Sequence, residues 1–365
     1  MEDFQMTLNT TPKPYDYAVV IGRFNPCHLG HKALLDKAAI LADRVIVLFG
    51  TSYRPSTIKN PFSHLERELM VMSMYKDEYP IGQSPFICKG IRDFMYNNQR
   101  WAMGVQNAVD DCIMSTHGDP DTANICLVGN NKDDSSWYLS MFPQWVLVST
   151  DFTKLANKDS IMSATELRRL VFESDLTQTV RMITPYVHPN VANYLLDWTT
   201  SDNFFKLVGE HFFIKKYKES WSKAPYAPTF VCTDACVVQS GHVLMIQRRA
   251  EPGKGLWALP GGFLNQNETM ETGMIRELIE ETKIKVPEKV LLGSIKEKRI
   301  FDHPDRSLRG RTITQAYKIE LPPGELPRVK GSDDALKARW IPFSDIKSEM
   351  CFDDHFDMLQ ELIGI

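Results

Sequence analysis

The sequence predicts an α/β protein in two parts, a parallel sheet wrapped by helices followed by a mixed α+β domain. Its 365 residues are too many for one ordinary domain and about right for two. Between residues 17 and 149, short β-branched runs alternate with longer amphipathic stretches, the rhythm of strand–helix–strand units. From Thr229 onward the pattern changes to strands broken by Gly and Pro turns around one strong helix.

In order, strands are expected at residues 17–22, 44–50, 86–89, 124–129 and 145–149, where β-branched and aromatic residues run together. Residues 30–42, 61–75 and 97–115 carry apolar side chains at three- and four-residue spacing, as crossover helices do. Helical segments follow from about Val180. A helical linker is expected at 203–224, ahead of the paired prolines Pro225 and Pro228. The domains are therefore placed at 1–202 and 225–365, the second with strands at 230–239, 243–248 and 316–319.

Composition excludes several classes. With 43% hydrophobic and 24% charged residues the chain is neither disordered nor fibrous, and 42 basic against 46 acidic side chains argues against a nucleic-acid-coating protein. No apolar run approaches the ~20 residues that span a bilayer, and the N-terminal MEDFQ is not signal-like, so a cytoplasmic protein is expected. The seven cysteines form no C-x-x-C pair and read as reduced structural thiols. Oligomeric state is not readable.

Directly after the first strand comes Gly22-Arg23-Phe24-Asn25-Pro26-Cys27-His28-Leu29-Gly30-His31, which opens the first helix. A helix N-terminus offers unpaired N–H groups and a positive dipole end. Two imidazoles three residues apart there can both point at phosphate oxygens, with Gly30 between them. The string resembles the signature of the nucleotidyltransferase superfamily, whose domain is Rossmann-like. Three later segments narrow the resemblance to archaeal-type nicotinamide mononucleotide (NMN) adenylyltransferases: Asn60-Pro61-Phe62 through Arg67, Asn98 with Trp101, and Ile161-Met-Ser163-Ala-Thr165-Glu-Leu-Arg168.

That resemblance implies that Gly22, Phe24 and Gly30 shape the cradle, that His28 and His31 hold phosphates, and that Arg23, Arg67 and Arg168 offset developing charge. It implies further that Asn98 and Trp101 recognise nicotinamide, that Ser163 and Thr165 meet the phosphates of ATP, and that Mg²⁺ travels with the ATP. The acceptor phosphate is already an anion, so alignment and charge neutralisation are the enzyme's main tasks.

In the second domain, Gly262-x5-Glu268-x7-Arg276-Glu277-Leu278-Ile279-Glu280-Glu281-Thr282-Lys283-Ile284 matches the Nudix box except that Lys283 stands where the box has Gly. Helical spacing puts Glu277, Glu280 and Glu281 on one arc, opposite apolar Ile275, Leu278 and Ile279. Three such carboxylates suit a hard divalent cation, Mg²⁺ or Mn²⁺. By resemblance, Glu281 is also catalytic, and Glu268 and Arg276 form a structural ion pair. Trp257 leads into the box, and Arg306, Arg309 and Arg311 supply charge for a diphosphate. Together with Gly331-Ser-Asp-Asp334 they make this part similar to ADP-ribose pyrophosphatases. Asp333 or Asp334 caps a helix or touches the metal site; the sequence does not choose.

The whole chain thus resembles bifunctional NMN adenylyltransferase/Nudix hydrolases. This implies small-molecule partners ATP, NMN, NAD and ADP-ribose, with neither nucleic acid nor membrane. Two alternatives are that one domain is an inactive nucleotide sensor, or that the Nudix site takes another dinucleotide such as NADH.

Overall fold

The structure is a computed structural model that describes residues 12–80, 82–129, 134–150 and 162–365. MEDFQ and Ile161 lie outside the described residues. The chain divides into two compact units, one holding the described residues up to Tyr53 with Lys59–Asp93 and Asn98–Phe204, the other Arg54–Ile58, Phe94–Asn97 and Phe205–Ile365. Most of the helix expected as a linker is therefore grouped with the second unit.

The first unit is built on β1 (Tyr15–Gly22), β2 (Ala42–Phe49), β3 (Phe86–Gly90), β4 (Ile125–Gly129) and β5 (Val146–Ser149). They form a parallel sheet in the order β3-β2-β1-β4-β5. β1 and β4 are nearly continuous apolar runs because the centre of a parallel sheet is covered on both faces. Their Val19 and Leu127 join Ile46 and Leu48 of β2 in a core with Val105, Val109 and Ile113. Those last three lie on α3 (Asn98–Ser115). The order in which strands are added switches sides between β1 and β4, which run parallel, and this opens a crevice at their carboxyl ends. α1 (Leu29–Leu41) starts there, directly after β1. α2 (His64–Tyr75) is started by a capping box in which Ser63 Oγ accepts from the Glu66 N–H while Glu66 accepts from the Ser63 N–H. Helices α4 (Ala164–Glu173), α5 (Leu176–Ile183), α6 (Pro189–Trp198) and α7 (Asp202–Glu219) follow.

The second unit is a mixed sheet. β6 (Thr229–Gln239), β7 (His242–Arg248), β10 (Ile295–Phe301), β11 (Arg311–Glu320) and β12 (Ala335–Pro342) lie in the order β10-β11-β6-β7-β12. Short β8 (Trp257–Ala258) pairs with β7, and β9 (Gly261–Phe263) with β6. α8 (Met270–Thr282) packs Met274, Ile275 and Leu278 on one face of the sheet. α9 (Glu288–Gly293) follows. α10 (His355–Ile363) packs Phe356, Leu359 and Leu362 on the other face. No helix of the described residues is long and apolar enough to cross a membrane.

Lys283 ends α8 in the left-handed conformation, φ 49° and ψ 31°, its N–H bonded to Ile279 O. The backbone therefore keeps the geometry that Gly favours and bears the cost of a Cβ there. Lys283→Gly is expected to raise the unfolding free energy by roughly 0.5–1 kcal/mol in chemical denaturation; an unchanged or lower midpoint would contradict this.

Candidate active sites

In the first unit the site is assembled where β1 turns into α1. His28 is the N-cap of α1, and its Nδ1 accepts from the His31 N–H while His31 Nδ1 accepts from the His28 N–H. Because both Nδ1 atoms accept, each neutral ring carries its proton on Nε2, so each is a donor without needing a positive charge. The two rings stack at 3.7 Å, and Phe24 stacks under His31 at 4.4 Å. Phe24 is 1% exposed, so it supports the imidazoles from within. A Cβ on Gly22 would lie 2.8 Å from the Phe24 ring, which is why glycine is required there.

Two arginines tie down the loop between Gly22 and His28. Arg168 on α4 donates from Nη1 to Asn25 O and from Nη2 to Thr165 Oγ1. Burial and the like charge of Arg23 push its pKa down to about 10, still protonated at neutral pH. Two guanidiniums held near each other at a helix start favour an anion. Ser163 caps α4 by accepting from the Glu166 N–H.

Arg67 differs from the expectation. It is fully buried and donates to the carbonyls of Ser63, Arg23 and Gly50 and to Ser52 Oγ. Its guanidinium is spent on main-chain carbonyls of three segments, and its bond nearest the His28–His31 pair in sequence is the one to the carbonyl of Arg23. Asn98 is exposed at the first turn of α3. Trp101 packs beside Trp137 and Tyr138, at 5.7 and 6.0 Å between ring centroids. Trp137, 47% exposed, is an aromatic that the sequence reading missed; it sits in a short 3₁₀ turn, Asp134–Ser140, without a helical or strand pattern to mark it.

In the second unit the carboxylate face of α8 meets the strand running through Gly261 and Gly262. Gly261 N–H donates to Glu281 Oε2 at 2.9 Å. A Cβ on Gly262 would lie 2.5 Å from the Glu277 carboxylate, and one on Gly261 2.2 Å from Thr233 O. The glycine pair is thus a clearance requirement. Arg276 grips Glu268 with Nε and Nη2 at 3.0 and 2.7 Å and donates from Nη1 to Glu277 and Glu280. The Arg276 hydrogen bonds hold Glu268 down at about 2.

Among the described residues no group of three or more His, Cys, Asp or Glu side chains is gathered as a closed metal cluster. Glu277 and Glu280 turn to Arg276, whereas Glu281 turns to Gly261. The donors nevertheless fit a hard divalent cation. All are carboxylate oxygens, and burial raises Glu277 and pushes Glu281 up to about 8, a strain on the ionised forms that a neighbouring cation relieves.

The three arginines expected at a diphosphate have different surroundings. Arg306 is buried and makes a two-pronged pair with fully buried Asp354, at 2.9 and 3.0 Å. Burial opposes its charge, but Asp354 outweighs that and holds it protonated. It is committed to the fold. Arg306→Leu is expected to destabilise the second unit by about 3–5 kcal/mol in thermal or denaturant unfolding, because Asp354 is left charged and buried; a loss of substrate affinity at unchanged stability would contradict this. Arg311 donates to Asp302 O and lies 3.9 Å from its carboxylate. Arg309 lies over the Phe263 ring at 4.9 Å, its Nε buried without a hydrogen-bond partner.

Further features of this site carried no signal in the sequence. Arg248 on β7 stacks 4.1 Å over Phe352, and its surroundings include Arg309, Glu281 and Asp353. Asp234 on β6 accepts from Thr314 Oγ1 and bears on Glu281. Trp257 packs against the core on the α10 side. Asp333 and Asp334 lie in the turn before β12, where Ala335 N–H bonds to Ser332 O, so neither caps a helix.

A histidine-capped helix start at a parallel-sheet crevice and a glycine-backed carboxylate helix define a two-unit enzyme, a nucleotidyltransferase-type unit and a Nudix-type unit in one chain. The cytidylyltransferase-like family matches residues 19–170 and the NUDIX domain family residues 229–362. A nicotinamide/nicotinic acid mononucleotide adenylyltransferase of Acinetobacter baylyi is 32% identical over 165 residues, 45% of this chain and 80% of that protein. An ADP-ribose pyrophosphatase of Methanocaldococcus jannaschii is 33% identical over 140 residues, 38% of this chain and 73% of that protein. The crystal structure of a bifunctional NMN adenylyltransferase/ADP-ribose pyrophosphatase from Francisella tularensis, complexed with AMP and a manganese ion, matches with a TM-score of 0.84 at 32% identity. The match covers 96% of this chain and 98% of that one. The chain belongs to the family of bifunctional NMN adenylyltransferase/ADP-ribose pyrophosphatases.

Proposed function

We propose that the first unit transfers the adenylyl group of ATP to NMN, giving NAD and pyrophosphate, and that the second hydrolyses ADP-ribose to AMP and ribose 5-phosphate. The observation that carries the first reaction is the reciprocal His28–His31 cap, which uses both Nδ1 atoms as acceptors at a helix start and so leaves Nε2 as the donor atom of each neutral ring, with Arg23 and Arg168 contributing positive charge. In this reading a phosphate oxygen of NMN attacks the α-phosphorus of ATP and pyrophosphate leaves. Gly22 and Gly30 let the backbone approach, Phe24 supports the imidazoles, and Arg168, held by Asn25 O and Thr165, meets the charge that builds on pyrophosphate. Asn98 and Trp101 take the nicotinamide end, and Ser163 and Thr165 lie toward the ATP phosphates.

For the second reaction Glu277, Glu280 and Glu281 would hold Mg²⁺ or Mn²⁺, while Arg309 and Arg248 face the diphosphate. When bound, the cation offsets diphosphate charge and acidifies water. Gly261 and Gly262 keep the approach to the carboxylates clear, and the Glu268–Arg276 pair fixes the loop on the helix. Mg²⁺ accompanies ATP at the first site. Both reactions are tested by product analysis of the full chain supplied with each substrate set; binding of ADP-ribose without release of AMP would favour a sensor over a hydrolase.

A further inference from the structure

His355 lies outside every motif of the sequence, yet it is buried against the residues that lead into the strand of the Gly261–Gly262 pair. Its Nδ1 accepts the buried N–H of Leu259 at 3.0 Å. The local ladder explains why a side chain is needed there. Trp257 and Cys351 form a parallel bridge, and the Phe352 N–H donates to Trp257 O. A continuing parallel ladder would next bring the Leu259 N–H to Phe352 O. That carbonyl instead accepts the His355 N–H, at 3.0 Å, in the turn that starts α10, and Asp353 takes φ +42° to make the turn. The main chain has departed, and the imidazole of the same residue supplies the missing acceptor.

The rest of the segment is held on both sides. Pro260 O accepts from the Ala235 N–H, and Gly261 N–H donates to Glu281. The start of α10 is itself fixed by Asp354, paired with Arg306 and accepting from Tyr96 Oη. We propose that His355 is a positioning residue of the hydrolase site: by accepting the Leu259 N–H it sets the strand position from which Gly261 N–H orients Glu281. The proposal rests on the ADP-ribose hydrolase reading. Pro260 stiffens the link between Leu259 and Gly261, and the clearance at Gly261, where a Cβ would lie 2.2 Å from Thr233 O, leaves little room for displacement. The accepting Nδ1 places the ring proton on Nε2.

The test compares His355→Leu, His355→Asn and His355→Gln in the full chain. Asparagine places an acceptor near the Nδ1 position, whereas glutamine carries its acceptor further out. His355→Leu is expected to lower kcat for ADP-ribose hydrolysis by about 10–100-fold, the effect of losing an orienting partner, with KM changed less than about threefold. Amide exchange should quicken in residues 257–262 but not in 243–248 or 312–319. His355→Asn should recover both readouts and His355→Gln should not, so the proposal stays exposed even if the leucine variant fails to fold. Wild-type kcat in His355→Leu, lost activity with unchanged exchange at 257–262, or equal behaviour of the asparagine and glutamine variants would overturn it. If the wild-type chain itself released no AMP from ADP-ribose, the hydrolase reading would fail, while the exchange comparison would still test the positioning.

Discussion

Glu281→Gln is expected to lower ADP-ribose hydrolysis by about 10³-fold, roughly 4 kcal/mol of transition-state stabilisation, while leaving NAD formation by the same chain unchanged. Glutamine keeps the acceptor for the Gly261 N–H and nearly the same volume, so packing at this 4%-exposed position survives. What it removes is the charge that would hold a divalent cation. The same substitution alters stability in a direction fixed by burial. Glu281 is raised from an ordinary 4.5 to about 8, so its contribution to stability is fully present below the unfolded value and is lost as pH rises through about 8. In chelator-treated protein the stability difference between wild type and Glu281→Gln should therefore move against wild type from pH 5 to 8.5. Asp353 and Glu210, which burial pushes up to about 7, act in the same direction in both proteins and cancel in that difference. A flat difference, or one that grows in favour of wild type, would show that Glu281 is not a buried, uncompensated carboxylate.

Arg168→Lys is expected to lower the rate of NAD formation by about 10–100-fold without unfolding the first unit. The guanidinium makes two directed bonds, to Asn25 O and Thr165 Oγ1, within the influence of the like charge of Arg23. An ammonium carries the same charge but cannot reproduce that fork. Rates with saturating ATP and NMN, together with circular dichroism, check the effect; an unchanged rate with intact folding would remove Arg168 from the site.

Much of the fold was legible because parallel strands and crossover helices follow the hydrophobic pattern closely. The run from Tyr17 to Gly22 and the helix carrying Val105, Val109 and Ile113 form the elements their spacing predicts. The sites were legible where chemistry is compressed into a short helix or loop. His28 and His31 lie three residues apart, and Glu268 and Arg276, eight apart, meet across one loop–helix junction. Charge alone was a poorer guide. Arg67 and Arg306 carry the residue type that phosphates require, but burial commits the first to main-chain carbonyls and the second to Asp354. Whether an arginine faces solvent or core depends on partners far along the chain, as with Arg306 and Asp354, 48 residues apart. His355, Arg248 and Asp234 were invisible for the same reason, since each acquires its meaning from a strand or turn distant in sequence.

One chain with two separate phosphate chemistries is the central claim, and it is tested most directly by incubating the full-length protein with Mg²⁺, ATP, NMN and isotopically labelled ADP-ribose and separating the products. The account predicts NAD with stoichiometric pyrophosphate, together with labelled AMP and ribose 5-phosphate in equal amounts. NAD without AMP from ADP-ribose, or AMP without NAD, would contradict it.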